Sequence, residues 1–484
     1  MVTRFVLPAF ILAFALSCGT AQADEPDVWF AAGTATVKAR LAVKPNTRKA
    51  KNIILFIGDG MGVTTVTAGR IFDGQSRGGQ GEENALSFEN FPHTALVKTY
   101  NSNQQVPDSA GTASAMNTGV KTRAGVLGIT AAAHRANCSE ALANSVPTFA
   151  ERAATQGKAI GVVTTTRITH ATPAAVYAHS ADREWEGADD LPPDALQQGC
   201  KSIAQQLIEF SPGPGIAVAL GGGRGKFDAS LLSSWRSRFP DGRLIADRTA
   251  LAALDPAKAG HVLGLFNKSH MAYMQDRTAQ TTEPTLSEMT AKAIEILSHT
   301  KQGYFLMVEG GRIDQAHHEG VAGKALLEVQ EFSKAIQTAF DKVDLKDTLI
   351  LVTADHSHSF TMAGYPTRGN PILGLVTEND EHGDPLDVPA LALDGQPFTT
   401  LGYYNGPGAV TGPRPAPSTA ANAKQQALIP TADHFANATN SAETHGGEDV
   451  PLYAAGPWSH LADGVIEQNV IYHIMSHAYG WRTP

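Results

Sequence analysis

The chain has 484 residues, 42% of them hydrophobic, with 38 basic against 47 acidic side chains and a net charge of −9. This is apolar content for a large core, and the acidic balance without a basic run excludes a nucleic-acid-binding patch. Beyond the amino terminus no apolar run is long enough to cross a bilayer, and no repeat period is present.

Residues 1–23 combine a short basic start, an apolar run over 5–17 and a small-residue site at Ala21-Gln22-Ala23 just before Asp24-Glu25. This is the layout of a signal peptide, so the chain is expected to be exported, to a periplasm or the cell exterior, with one domain over 24–484. Cys18 follows Ala15-Leu16-Ser17, without the leucine that usually stands three residues before a lipidated cysteine. Cleavage leaves Cys138 and Cys200, which in an exported chain form either a disulfide or two buried thiols.

Residues 27–43 read as an amphipathic arm with Trp29, Phe30, Val37 and Leu41 on its apolar side. Continuous apolar runs at 52–57, 158–165, 215–220, 303–308 and 348–353 predict buried strands. Helical patterns at 144–156, 194–210, 285–299 and 321–343 lie between them. Buried strands alternating with helices predict an α/β three-layer sandwich, a central and mainly parallel sheet flanked by helices. Residues 380–445, rich in Gly, Pro, Ala and Thr, read as a long surface insertion on that domain. The glycine-rich run at 221–227 lacks the glycine and hydroxyl positions of a phosphate-binding Walker loop, having Leu220 and Phe227 there. It reads as a turn after a strand.

The chemistry gathers where strands end. The run at 52–57 leads into Gly58-Asp59-Gly60, that at 303–308 into Glu309, Asp314 and His318, and that at 348–353 into Asp355, His356 and His358. Ligands of open α/β sheets bind at the carboxyl ends of strands, so three strands would deliver carboxylates and imidazoles to one edge. Such donors suit Zn²⁺, with Mg²⁺ as an all-oxygen neighbour. Asp314 and His318, four apart, share one side of a helical turn. Asp108-Ser109 opens a run of small residues at a predicted helix start, where N–H groups and the dipole favour an anion. No Gly-x-Ser-x-Gly elbow is present, so a metal would have to ionise the Ser109 hydroxyl.

Six segments together resemble the alkaline phosphatases, and the animal-type enzymes more than the enteric bacterial one. They are residues 57–62 (Ile-Gly-Asp-Gly-Met-Gly), 107–112 (Pro-Asp-Ser-Ala-Gly-Thr), 164–173, 308–314, 353–358 and 443–449, in the family's order. The resemblance implies a phosphate-monoester hydrolase that is phosphorylated on Ser109, with two Zn²⁺, one Mg²⁺ and a homodimeric habit. By motif, Asp314, His318 and His445 would hold one zinc, and Asp59, Asp355 and His356 the other. Asp59, Thr172 and Glu309 would hold the magnesium-type ion, and His358 would stand behind the zinc ligands. Arg183 would grip phosphate, although the residues alone do not favour it over Arg167. Cys138 and Cys200 match a disulfide of the animal-type enzymes. Three departures stand out: Ser114 for threonine, Gln315 for the usual lysine or histidine, and His170 where the enteric enzyme has aspartate. His170 would let the third site take zinc. The expected partners are small phosphate monoesters and inorganic phosphate. A sulfatase on the same scaffold would want proline where Gly111 stands.

Overall fold

The computed structural model describes residues 26–431 and 442–481. The expected signal peptide with Cys18, and residues 432–441 of the expected insertion, lie outside the described residues. Residues from Pro45 onward form one compact unit, and the helix Pro26–Ala42 belongs to another. On that helix Phe30, Val37 and Leu41, spaced seven and eleven apart, share a face and are exposed.

Ten strands make the main sheet: β1 (Asn52–Gly58), β2 (His93–Lys98), β3 (Ala159–Arg167), β4 (Ile216–Gly222), β5 (Arg243–Ile245), β6 (Val262–Leu265), β7 (Tyr304–Glu309), β8 (Thr348–Ala354), β9 (Val450–Ala455) and β10 (Val465–Glu467). Their order is β10-β2-β9-β8-β1-β7-β3-β4-β6-β5. All pairings are parallel except the two that β9 makes, with β2 and β8. The five expected strands are β1, β3, β4, β7 and β8, the central ones, whose residues are almost wholly buried. The other five escaped the pattern because they are short, half-exposed or, in β9, interrupted by Pro451.

Side-chain alternation accounts for the three layers. Ile53 of β1 is level with Phe305 of β7, so the two point to one face, and Phe56 points to the other. Phe305 meets Phe149 of the helix Phe149–Thr155 at 4.8 Å between ring centroids. Phe56 meets Phe332 of the helix Ala322–Lys342 at 6.0 Å. Helices therefore cover both faces, as an all-parallel sheet centre requires.

Two helix boundaries differ from expectation for local reasons. The helix expected from 144 begins at Phe149, because Pro147 keeps the preceding residue extended and Thr148 with Glu151 forms a capping box. The pattern over 194–210 splits into Pro193–Gln197 and Ile203–Glu209, because Gly199 adopts φ +90° and Ser202 caps a new start. Cys200 in that break is disulfide-bonded to Cys138, with Cα atoms 6.0 Å apart. The segment expected as an insertion is exposed over much of 380–424, but its strand Leu401–Asn405 buries Leu401 and Tyr403. That strand pairs with Phe360–Met362 and Ala427–Ile429. Among the described residues no helix is long and apolar enough to cross a membrane.

At the amino edge of the sheet, Lys158 is buried and donates to the carbonyls of Lys51 and Gln302 at 2.7 and 2.6 Å, with its ammonium 4.2 Å from the Tyr479 ring. Burial, and then Lys49 and Lys51, push it from the ordinary 10.5 down to about 8. Between those values the unfolded chain holds a proton that the folded chain has lost, so stability rises with pH across that window. Urea unfolding at several pH values should show this rise in the wild type and a flatter profile in Lys158→Met.

Candidate metal centre and active site

Four neighbouring strands, β8, β1, β7 and β3, end at one place. β1 runs directly into Asp59, β7 ends on Glu309, β8 leads to Asp355 and His356, and β3 carries Thr164 and Thr166 on to His170 and Thr172. Gly60 turns the chain after Asp59 with φ +70°, and a Cβ there would stand 2.3 Å from His358 Nε2. Only glycine suits both demands. The short helix Arg312–His318 then presents Asp314 and His318, and His445 joins because its segment pairs antiparallel with His358.

Asp59, Asp355 and His356 each offer a ligand atom within 4.8 Å of the others, and so do Asp59, His170 and Glu309. Around Asp314, Oδ1 lies 3.3 Å from His318 Nε2 and 3.5 Å from His445 Nε2, and those two nitrogens are 3.1 Å apart. Both histidines donate Nδ1–H to backbone carbonyls, His318 to Glu443 at 2.6 Å and His445 to Pro107 at 2.7 Å. This fixes the tautomer that leaves Nε2 as a lone pair aimed inward. Both Asp59 oxygens, Glu309 Oε1, Thr172 Oγ1 and His170 Nδ1 are buried without a hydrogen-bond partner. Orphaned buried donors and acceptors of this kind are costly, and these are the oxygens and nitrogen that hard and borderline cations accept. The residues therefore fit metal ions.

The charges agree. Burial, then Asp314, Asp355 and Glu309, push Asp59 well above the usual carboxylate range. Burial raises Asp355 and takes Glu309 up to about 7. Burial pushes Asp314 the same way, but His318, His358 and His445 around it hold it well below normal. Burial, followed by His445 for His356 and by Arg183 for His170, keeps both imidazoles far down, hence neutral and able to ligate.

Ser109 is the first residue of the helix Ser109–Thr118 and its Oγ lies 3.0 Å from His356 Nε2. Asp108 caps that helix, accepting from Gly111 N–H at 3.0 Å, and also from Asn101, Gly125 and Arg183. The Arg183 guanidinium is thereby fixed, with Nη1 3.2 Å from Asp108 and Nη2 3.2 Å from His170 Nε2. Arg167, which the sequence could not separate from Arg183, is held by both oxygens of buried Glu186. Gln315 faces His270 Nδ1 at 2.9 Å and accepts from Arg312, so it belongs to a network and not to solvent.

Sequence reasoning brought forward the residues of these clusters except Glu443, which groups with His318 and His358, and overlooked what braces them. Asp108, Glu443, Glu186 and His270 received no role. Asp108 alone carried a signal, an Asp immediately before a helix start. His170, expected beside the third set, has a nitrogen within it. Thr172 is buried with its hydroxyl unbonded.

These clusters and the adjacent serine define a candidate metal centre suited to metal-assisted hydrolysis. A family model described as alkaline phosphatase matches residues 50–481. The chain is 43% identical to the rat tissue-nonspecific alkaline phosphatase isozyme over 98% of its own length and 93% of that protein's. It is 42% identical to alkaline phosphatase of Gadus morhua, over 94% and 98%. The solved alkaline phosphatase of Thermus thermophilus shares the fold with a TM-score of 0.65 at 22% identity, covering 91% of this chain and 93% of that one. The chain belongs to the alkaline phosphatase family, and is a metal-dependent enzyme that hydrolyses phosphate monoesters.

Removing the metals should leave the carboxylates to repel one another. Glu309 would then ionise at about 7 in the folded protein against an ordinary 4.5. In that window the folded state holds the extra proton, so stability falls as pH rises. Thermal unfolding of chelated protein should show the fall, and added zinc should abolish it.

Proposed function

We propose that hydrolysis proceeds through a phosphoserine on Ser109, with zinc held by Asp314, His318 and His445, a second zinc by Asp59, Asp355 and His356, and a magnesium-type ion by Asp59, Thr172 and Glu309. The observation that carries this reading is the Ser109 hydroxyl at a helix amino terminus, 3.0 Å from the imidazole of the second set. Bound metals would favour the ionised serine and stabilise the departing alcohol oxygen. Ser109 Oγ forms the bond to phosphorus as the ester P–O bond breaks. Water then breaks the serine–phosphorus bond and restores the hydroxyl.

Arg183, oriented by Asp108, takes two phosphoryl oxygens with its planar fork. His170, near both Arg183 and Glu309, makes the third site one that accepts zinc as well as magnesium. Export as a mature chain from residue 24 and assembly as a homodimer complete the proposal; the exposed face of Phe30, Val37 and Leu41 supports the latter.

Ser109→Ala should form no phosphoenzyme and lose kcat by orders of magnitude while both zincs stay bound; full activity would rule Ser109 out. p-Nitrophenyl phosphate should be cleaved far faster than the corresponding sulfate or a diester.

Gln315 carries no charge where the family resemblance implies lysine or histidine, and where lysine stands there a charge-assisted hydrogen bond would be worth about 1–2 kcal/mol more than a neutral one. Gln315→Lys should therefore lower the inhibition constant of inorganic phosphate roughly tenfold at fixed alkaline pH, with the effect shrinking as the lysine deprotonates. An unchanged constant would remove Gln315 from phosphate binding.

A further inference from the structure

We infer that Glu443 is a positioning residue for the Asp314 cluster, acting through His358; this rests on the reading that Asp314, His318 and His445 hold a zinc. Glu443 is 1% exposed. Its Oε2 accepts from His358 Nδ1, and His358 Nε2 in turn donates to Asp314 Oδ1 at 2.9 Å. Oε1 accepts from the N–H of Ser359 at 2.6 Å, which pins the carboxylate in place. The backbone of the same residue holds His318 twice, its carbonyl accepting from His318 Nδ1 at 2.6 Å and its N–H donating to the His318 carbonyl at 3.0 Å.

Every polar group of Glu443 is thus engaged on an element that carries a zinc ligand or lies next to one. Two consequences follow from the chemistry of a buried imidazole between two carboxylates. His358 cannot rotate without losing both charge-assisted bonds. Asp314 therefore keeps one oxygen tied to His358, which restrains the whole carboxylate. Partners one step behind a metal ligand change metal affinity by about 10–100-fold when removed. The backbone ties to His318 survive any side-chain replacement, so a substitution at 443 isolates the arm that runs through His358 to Asp314.

The test is zinc release from the holoenzyme to a chromogenic chelator, with phases assigned by which one His318→Ala and His356→Ala abolish. In Glu443→Gln the phase assigned to His318 should quicken severalfold, by less than the about 10–100-fold expected for His358→Gln, which removes the partner directly behind Asp314, and the phase assigned to His356 should keep the wild-type rate. Adding Glu443→Gln to His358→Gln should quicken release no further. If the glutamine variant does not fold, Glu443→Asp, which keeps the charge but shortens the reach, carries the same expectation at smaller size. The inference is overturned if neither phase moves, or if both quicken equally while the metal-free protein also melts lower, the mark of a general packing role. A wild type with no His318-dependent phase would overturn the metal assignment itself, and would be seen before any substitution at 443.

Discussion

Four carboxylates, Asp59, Glu309, Asp314 and Asp355, are buried within reach of one another, and the rest of the structure is arranged around that fact. Taking such groups out of water costs several kcal/mol each, and like charges at short range add to the cost. Hydrogen bonds to Gly60, Thr112, Thr164, Thr166 and His358 offset part of it. They leave Asp59 with none, so its charge is relieved there either by a proton or by a bound cation. Without cations the site therefore weighs against the stability of the fold.

Delivering those groups requires a rigid frame, and the topology supplies it. Parallel strands all present their carboxyl ends to one edge, so β1, β7, β8 and β3 bring their followers together without long loops. β9 uses the opposite device. It is antiparallel to β8, so its amino end stands at the edge where β8 stops. His445 and Glu443 lie just before that amino end, and arrive at the site because the strand after them runs backward.

This explains what could be read in the sequence. Continuous apolar runs reveal strands buried on both faces, and the polar cluster after each run reveals the edge, so Asp59, Glu309, Asp314, Asp355 and His356 are legible from local pattern. His445 precedes its strand, and that strand contains Pro451, so no local pattern joins it to His318; only the family's motif order did. Ser109 was legible locally as a helix start after Asp108, but it follows β2, a strand half-exposed and weak in apolar pattern, so no strand tied it to the other clusters. The bracing residues were less legible still, because each partner is remote: Asp108 and Arg183 are 75 residues apart, and Glu443 and His358 are 85 apart.

Arg167 and Arg183 show how far residue type alone can go. Both are arginines at the carboxyl edge, sixteen positions apart, and either guanidinium has the shape to grip phosphate. What separates them is the geometry of the paired acid. Glu186 engages Arg167 with both carboxylate oxygens, using up its planar fork. Asp108 touches Arg183 through one nitrogen, because its oxygens are also engaged by Asn101, Gly111 and Gly125. A carboxylate shared among four donors orients the arginine without saturating it. Nη1 and Nη2 each spend one N–H, on Asp108 and on His170, and keep a second one for an anion. The helix cap of Ser109 is therefore also the device that leaves Arg183 available, and in the proposed mechanism one buried side chain would align the serine with the cation facing the same phosphate.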